Sequence, residues 1–162
     1  IESNDITTMT KEMVKDITES SILLNKVIKP RIIVDSKYFI NDSSSIINKD
    51  ILTDRLRSML IRSSGGKIIF VGRQNVNMVS KEKSLKQNKV VSSNSNSNKK
   101  ILGADYRLTG RITSVDATNP KTGKISRFNQ INFEIVSLDT SEIIWSNIYS
   151  FEKSGTDAII YR

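Results

Sequence analysis

A chain of 162 residues with neither histidine nor cysteine has no disulfide, thiolate nucleophile, imidazole base or zinc and haem ligands of the usual kinds. Its formal charge of +8 invites a nucleic-acid partner, but the charge is not laid out for one: Lys81, Lys83, Lys86, Lys89, Lys99 and Lys100 crowd one hydrophilic stretch. One Trp, four Tyr and five Phe do not interleave with basic residues as a stacking platform requires.

The first predicted element is a helix capped by Asn4 or Asp5, with Ile6, Met9, Met13, Ile17 and Leu24 near one face. Pro30 ends it and opens a short apolar strand, Arg31 to Asp35. Ser36 to Lys49 is rich in Asn and Ser and reads as a loop anchored by Tyr38, Phe39 and Ile40. A second helix starts at Asp50 as its cap. Leu52, Leu56, Met59 and Leu60 form its apolar stripe, and Ser64-Gly65-Gly66 stops it.

Lys67 to Gly72 is continuously apolar after its first residue, which predicts a central strand. Asn75 to Lys89 suits a third helix with a thin inward stripe of Val76, Val79 and Leu85. Ser92 to Asn98 is low-complexity and, with Lys99 and Lys100, reads as a flexible loop.

From Asp105 the pattern has period two. Tyr106, Leu108, Gly110 and Ile112 share one face, and Arg107, Thr109, Arg111 and Thr113 the other. Ile131, Phe133 and Ile135 continue the apolar face, followed by Ile143, Trp145, Tyr149 and Phe151. Turn signals at Asn119–Gly123 and Asp139–Glu142 join these runs into an antiparallel meander. The expected fold is one α/β domain over 1–162, α+β in character. It has a mixed, mainly antiparallel sheet of four or five strands, about three flanking helices and a C-terminal meander.

None of the short motifs carries catalysis. Gly65-Gly66 lacks the Gly-Lys-Ser/Thr continuation of a phosphate loop, and Asp139 with Glu142 is ordinary turn chemistry. Asp35, Asp42, Asp50 and Asp54 do not have calcium-loop spacing. No run approaches the roughly 18 apolar residues that cross a bilayer as a helix. Since the chain begins at Ile1, the lack of a targeting segment carries no information about compartment.

Two phrases, LGADYRLTG (Leu102–Gly110) and TSEIIWS (Thr140–Ser146), resemble the LpoB family of outer-membrane lipoproteins that activate peptidoglycan synthases. The resemblance extends through Met13-Val14, Pro30-Arg31-Ile32-Ile33-Val34, Leu52–Arg57 and Phe70-Val71-Gly72-Arg73, with Gly72 in place of the usual acid. Ser141 stands where the family commonly has a turn glycine, which implies a different turn type there. Curli-secretion (CsgG-like) lipoproteins and the N-terminal domain of TolB look similar at the level of fold.

The resemblance implies a non-enzymatic periplasmic domain, without cofactor or metal. It would be held at the outer membrane by an N-terminal lipid preceding Ile1 and would bind a class A penicillin-binding protein. The alternatives are a component of an envelope secretion or assembly complex and, on charge alone, a nucleic-acid binder. Arg107, Arg111 and Arg73 are the candidate partner-binding residues, the first two from strand alternation.

Overall fold

The computed structural model describes residues 3–20, 23, 28–72, 75–89 and 103–154. Among these residues, three helices and five strands follow in the order α1 (Ser3–Glu19), β1 (Arg31–Asp42), α2 (Lys49–Ser63), β2 (Ile69–Val71), α3 (Val76–Gln87), β3 (Tyr106–Thr118), β4 (Ile125–Ser137) and β5 (Ile143–Ser154). The sheet order is β2-β1-β3-β4-β5: β1 lies parallel to both neighbours, and β3 to β5 form the expected antiparallel meander. Helices α1 and α2 cover one face. Met9, Met13, Ile17, Leu52, Leu56 and Leu60 meet Val34, Phe39, Leu108, Ile112, Ile131, Phe133 and Ile135 there in one buried core.

The helix ends differ from the sequence reading. Asn4 and Asp5 both lie within α1, so neither caps it, although Asp5 in the first turn suits the positive end of the helix dipole. Asn48, not Asp50, caps α2: its Oδ1 accepts from the N–H groups of Asp50 (3.0 Å) and Ile51 (3.2 Å). The stop is as read, with Gly65 and Gly66 at φ 59° and 78°, where a side chain would be strained. Helix α3 buries no residue, and Val79 is exposed, because its stripe is too thin to hold it against the sheet. Leu24 and the 92–100 tract lie outside the described residues.

Two strand assignments change. The run 67–72 is not central: β2 has three residues, pairs among the described residues only with β1 and leaves Ile69 exposed, while Ile68 is buried in the core and Phe70 packs against it. The segment read as a loop after Asp35 is strand to Asp42. Val34 pairs with Leu108 and Phe39 with Gly110, so five steps along β1 (34 to 39) match two along β3 (108 to 110). That bulge breaks the period of two, which is why the sequence pattern looked like a loop. It also returns Phe39 to the core side.

A second bulge moves Ile143. Val136 pairs with Ile143 but Ile135 with Trp145, leaving Ile144 as the extra residue, so Ile143 turns to the helix-free face and is 59% exposed. Tyr149 is buried as expected, while Trp145 and Phe151 are half-buried against the margin of the core. Ser141 adopts φ 65°, so serine occupies a glycine-like backbone in that turn, where Ser141 N–H donates to the Ser137 carbonyl (2.9 Å).

The centre of the core is a row of rings. Phe39 and Phe133 stack edge-to-face with centroids 6.1 Å apart, and Phe133 and Tyr149 do so at 6.0 Å. Gly110 lies under them: a Cβ there would meet Phe133 at 3.4 Å and Phe39 at 3.5 Å. The Tyr149 hydroxyl donates to Asp16 of α1 (2.8 Å), and the Asn147 amide donates to the same carboxylate oxygen (2.6 Å), which fastens α1 to β5.

Phe133→Ala is expected to cost about 3–5 kcal/mol in urea denaturation. Gly110→Val should cost about 1–3 kcal/mol through overpacking, whereas Gly110→Ala makes only ordinary contact and should be tolerated. Burial, reinforced by Asp16, raises the Tyr149 phenol well above its ordinary pKa. The folded state therefore holds a proton that the unfolded chain loses from about pH 10 upward. That contribution is fully present below pH 10 and is lost as pH rises beyond it, so stability should fall less steeply above pH 10 in Tyr149→Phe than in the parent.

Candidate functional site on the helix-free sheet face

The face of the sheet opposite α1 and α2 carries the odd residues of β3 and the even residues of β4. Arg107, Thr109, Arg111, Asn132 and Glu134 therefore stand together by register, with Thr109 opposite Glu134 and Arg111 opposite Asn132. The β1 bulge adds Lys37 and Tyr38, and Ile40 lies beyond it. Together these line a shallow groove of about 290 Å³.

Within the groove the Arg107 guanidinium sits 4.0 Å from the centre of the Tyr38 ring, and the Lys37 ammonium 5.0 Å from it. Both contacts place a cation on the electron-rich face of an aromatic ring. The Lys37 ammonium beside its hydroxyl holds the Tyr38 phenol below the usual tyrosine range. Arg107 acts in the same sense and burial opposes both. Arg107 Nε is buried without a hydrogen-bond partner, and among the described residues no carboxylate forms an ion pair with this arginine.

Arg111 shares the groove but is already engaged, its Nη1 lying 2.7 Å from Asp42 with both side chains about half exposed. An incoming acid would compete with Asp42 there, so the two arginines are not equivalent. Arg73 lies outside the described residues. Sequence reasoning missed Lys37 and Tyr38 because it read them as loop. The aromatic and β-branched run Tyr38-Phe39-Ile40 was the available signal for strand.

The carboxylates considered as metal ligands are each occupied locally. Asp42 pairs with Arg111 and Asp54 with Arg57, Asp35 accepts from the Lys37 N–H, and Asp50 sits in the first turn of α2. No group of three or more acids that could hold a metal exists among the described residues. No helix among them is long and apolar enough to cross a membrane. Arg31, Arg57, Arg111 and Arg127 are each paired with an aspartate.

The sequence profile of one family, described as peptidoglycan-synthase activator LpoB, matches residues 5–151. No curated protein sequence matches the chain. Among solved structures, the LpoB C-terminal domain from Salmonella enterica is similar with a TM-score of 0.53 and 18% identity, over 89% of this chain and 96% of that one. The LpoB C-terminal domain from Escherichia coli aligns with a TM-score of 0.47 and 20% identity, over 84% of this chain and 94% of that one. A lipoprotein, GNA1162, from Neisseria meningitidis aligns over 82% of this chain and 96% of its own length at 15% identity and a TM-score of 0.42. At 18% identity the likeness to the Salmonella enterica domain speaks to fold alone; the profile match speaks to family.

The electrostatics of the groove can be read spectroscopically. Lys37→Met should move the ionisation of Tyr38 to higher pH, followed by tyrosinate absorbance or ring-labelled NMR. Arg107→Met should move it in the same direction by less, since the Lys37 contact is the larger cause.

Proposed function

The chain belongs to the LpoB family of peptidoglycan-synthase activators, and we propose that it binds a class A penicillin-binding protein through the groove on the helix-free sheet face. The observation that carries this reading is Arg107, stacked on Tyr38 in an open groove with no carboxylate partner among the described residues. Arginine held against an aromatic ring has lost much of its side-chain freedom already. It can accept a carboxylate at lower entropic cost than a free surface arginine. Arg and Tyr are also the residue types that dominate interface energetics when they sit centrally.

In this account the partner contributes an acidic patch, and Lys37 widens the positive field that receives it. Arg111 joins only by exchanging Asp42 for the partner's acid. Activation follows if the chain binds one conformation of the synthase better than the other. A tenfold difference in affinity between the two shifts the equilibrium by about 1.4 kcal/mol. The domain performs no reaction itself and is positioned in the periplasm by a lipid on sequence preceding Ile1, held in the outer membrane. Family membership supports that arrangement.

The test is the double variant Arg107→Glu with Arg111→Glu. Both side chains lie on the face away from the core, so the melting temperature should stay within a few degrees of the parent. Affinity for a purified class A synthase, and stimulation of its glycan polymerisation, should be lost together. Unchanged affinity in a folded double variant would remove this face from the interface.

A further inference from the structure

A different part of the molecule has recognition chemistry that the groove does not use. Strand β5 pairs with β4 along its inner side, and among the described residues no strand pairs with its outer side. An unpaired edge exposes backbone donors and acceptors to any extended chain, and folded proteins usually blunt it with proline, charge or a bulge. At one end the bulge at Ile144 does this. The stretch from Ser146 to Phe151 contains neither proline nor a charged residue.

One edge donor is occupied in an unusual way. The Ile148 N–H donates to the Oδ1 of its own neighbour Asn147 at 2.8 Å. That hydrogen bond identifies Ile148 as a residue whose N–H points away from β4, because successive residues of a strand direct their N–H groups to opposite sides. The Asn147 side chain is held in place by its Nδ2, which donates to Asp16. The amide thus bridges α1 to the edge and covers the donor that a docking strand would need first.

Beside this edge, α1 and β5 enclose a second shallow groove of about 320 Å³. Its floor includes Met9 and Phe151, and Asp5 and Glu12 stand on its α1 side. In a chain of net charge +8 this rim is acidic, opposite in sign to the Arg107 groove.

We propose that the β5 edge is a strand-addition site for an extended segment of a partner protein in which cationic and apolar residues alternate. Its backbone would pair with Ser146, Ile148 and Ser150. Its cationic side chains would face the acids of α1, and its apolar ones would rest on the opposite face near Ile148. Docking displaces the Asn147 Oδ1 from the Ile148 N–H, so Asn147 guards the edge in the free protein. Strand addition takes affinity from main-chain hydrogen bonds and specificity from alternate side chains.

The experiment uses the full chain, isotope-labelled, with three short peptides. One alternates lysine and valine, one alternates glutamate and valine, and one is the lysine peptide N-methylated at alternate amides. The lysine peptide should protect the amides of Ser146, Ile148 and Ser150 from hydrogen exchange, and the N-methylated peptide should not. The glutamate peptide should bind less tightly than the lysine peptide. Glu12→Lys should weaken the lysine peptide about three- to fivefold, and Asn147→Ala should tighten it about threefold or more by freeing the donor. Failure to protect these amides, or equal binding of the N-methylated peptide, would overturn the proposal. So would concentration-dependent protection in the chain alone, since a second copy would then be the occupant.

Discussion

The architecture depends on the packing of Phe39, Phe133 and Tyr149 over the bare backbone of Gly110. The row ties β1, β4 and β5 together across the glycine on β3. Bringing Phe39 to Gly110 takes up three more residues on β1 than on β3, and those residues form the bulge. The bulge places Tyr38 and Lys37 in the groove on the opposite face, where Arg107 stacks on the ring. At the far end of the row the Tyr149 hydroxyl reaches Asp16 and anchors α1. A single packing constraint in the core therefore builds the outer groove and fastens the N-terminal helix.

That dependence explains why the two faces of β3 have different characters. Tyr106, Leu108 and Ile112 are buried, and substitutions among them act through the core. Arg107 and Arg111 project the other way, into a groove without helix cover, where substitutions act through charge. The phrase Leu102–Gly110, which carries much of the family resemblance, reads largely as structure where it is described. Asp105 accepts from the Arg31 N–H (3.1 Å) and the Gly103 carbonyl accepts from Arg31 Nε (2.6 Å), which sets β3 beside β1. Of the residues in this phrase, Arg107, Thr109 and Gly110 line the groove, and Arg107 alone of them brings a charge to it.

The meander and α2 were legible because their signals are local. Period-two alternation over Tyr106–Ile112 and Ile131–Ile135, a left-handed glycine pair and compact turns each follow from short-range sterics. The bulges were not legible: an inserted residue leaves composition unchanged and only shifts the phase of a pattern. Hence Ile143 was placed on the wrong face and Lys37 and Tyr38 in a loop. The edge position of β2 was hidden because a short apolar run reads alike at the centre of a sheet and at its margin. Of the candidate site, alternation found Arg107 and Arg111, but their inequality depends on Asp42, which stands 69 residues away in sequence from Arg111.

The central claim is that recognition of a synthase resides on the helix-free face, organised by the β1 bulge. Amide chemical-shift mapping of the labelled chain during titration with a detergent-solubilised class A penicillin-binding protein tests it most directly. The account predicts perturbations concentrated at Lys37–Asp42 and Arg107–Arg111, with α2 largely unmoved. Perturbations confined to the helices, with the bulge and β3 silent, would contradict it.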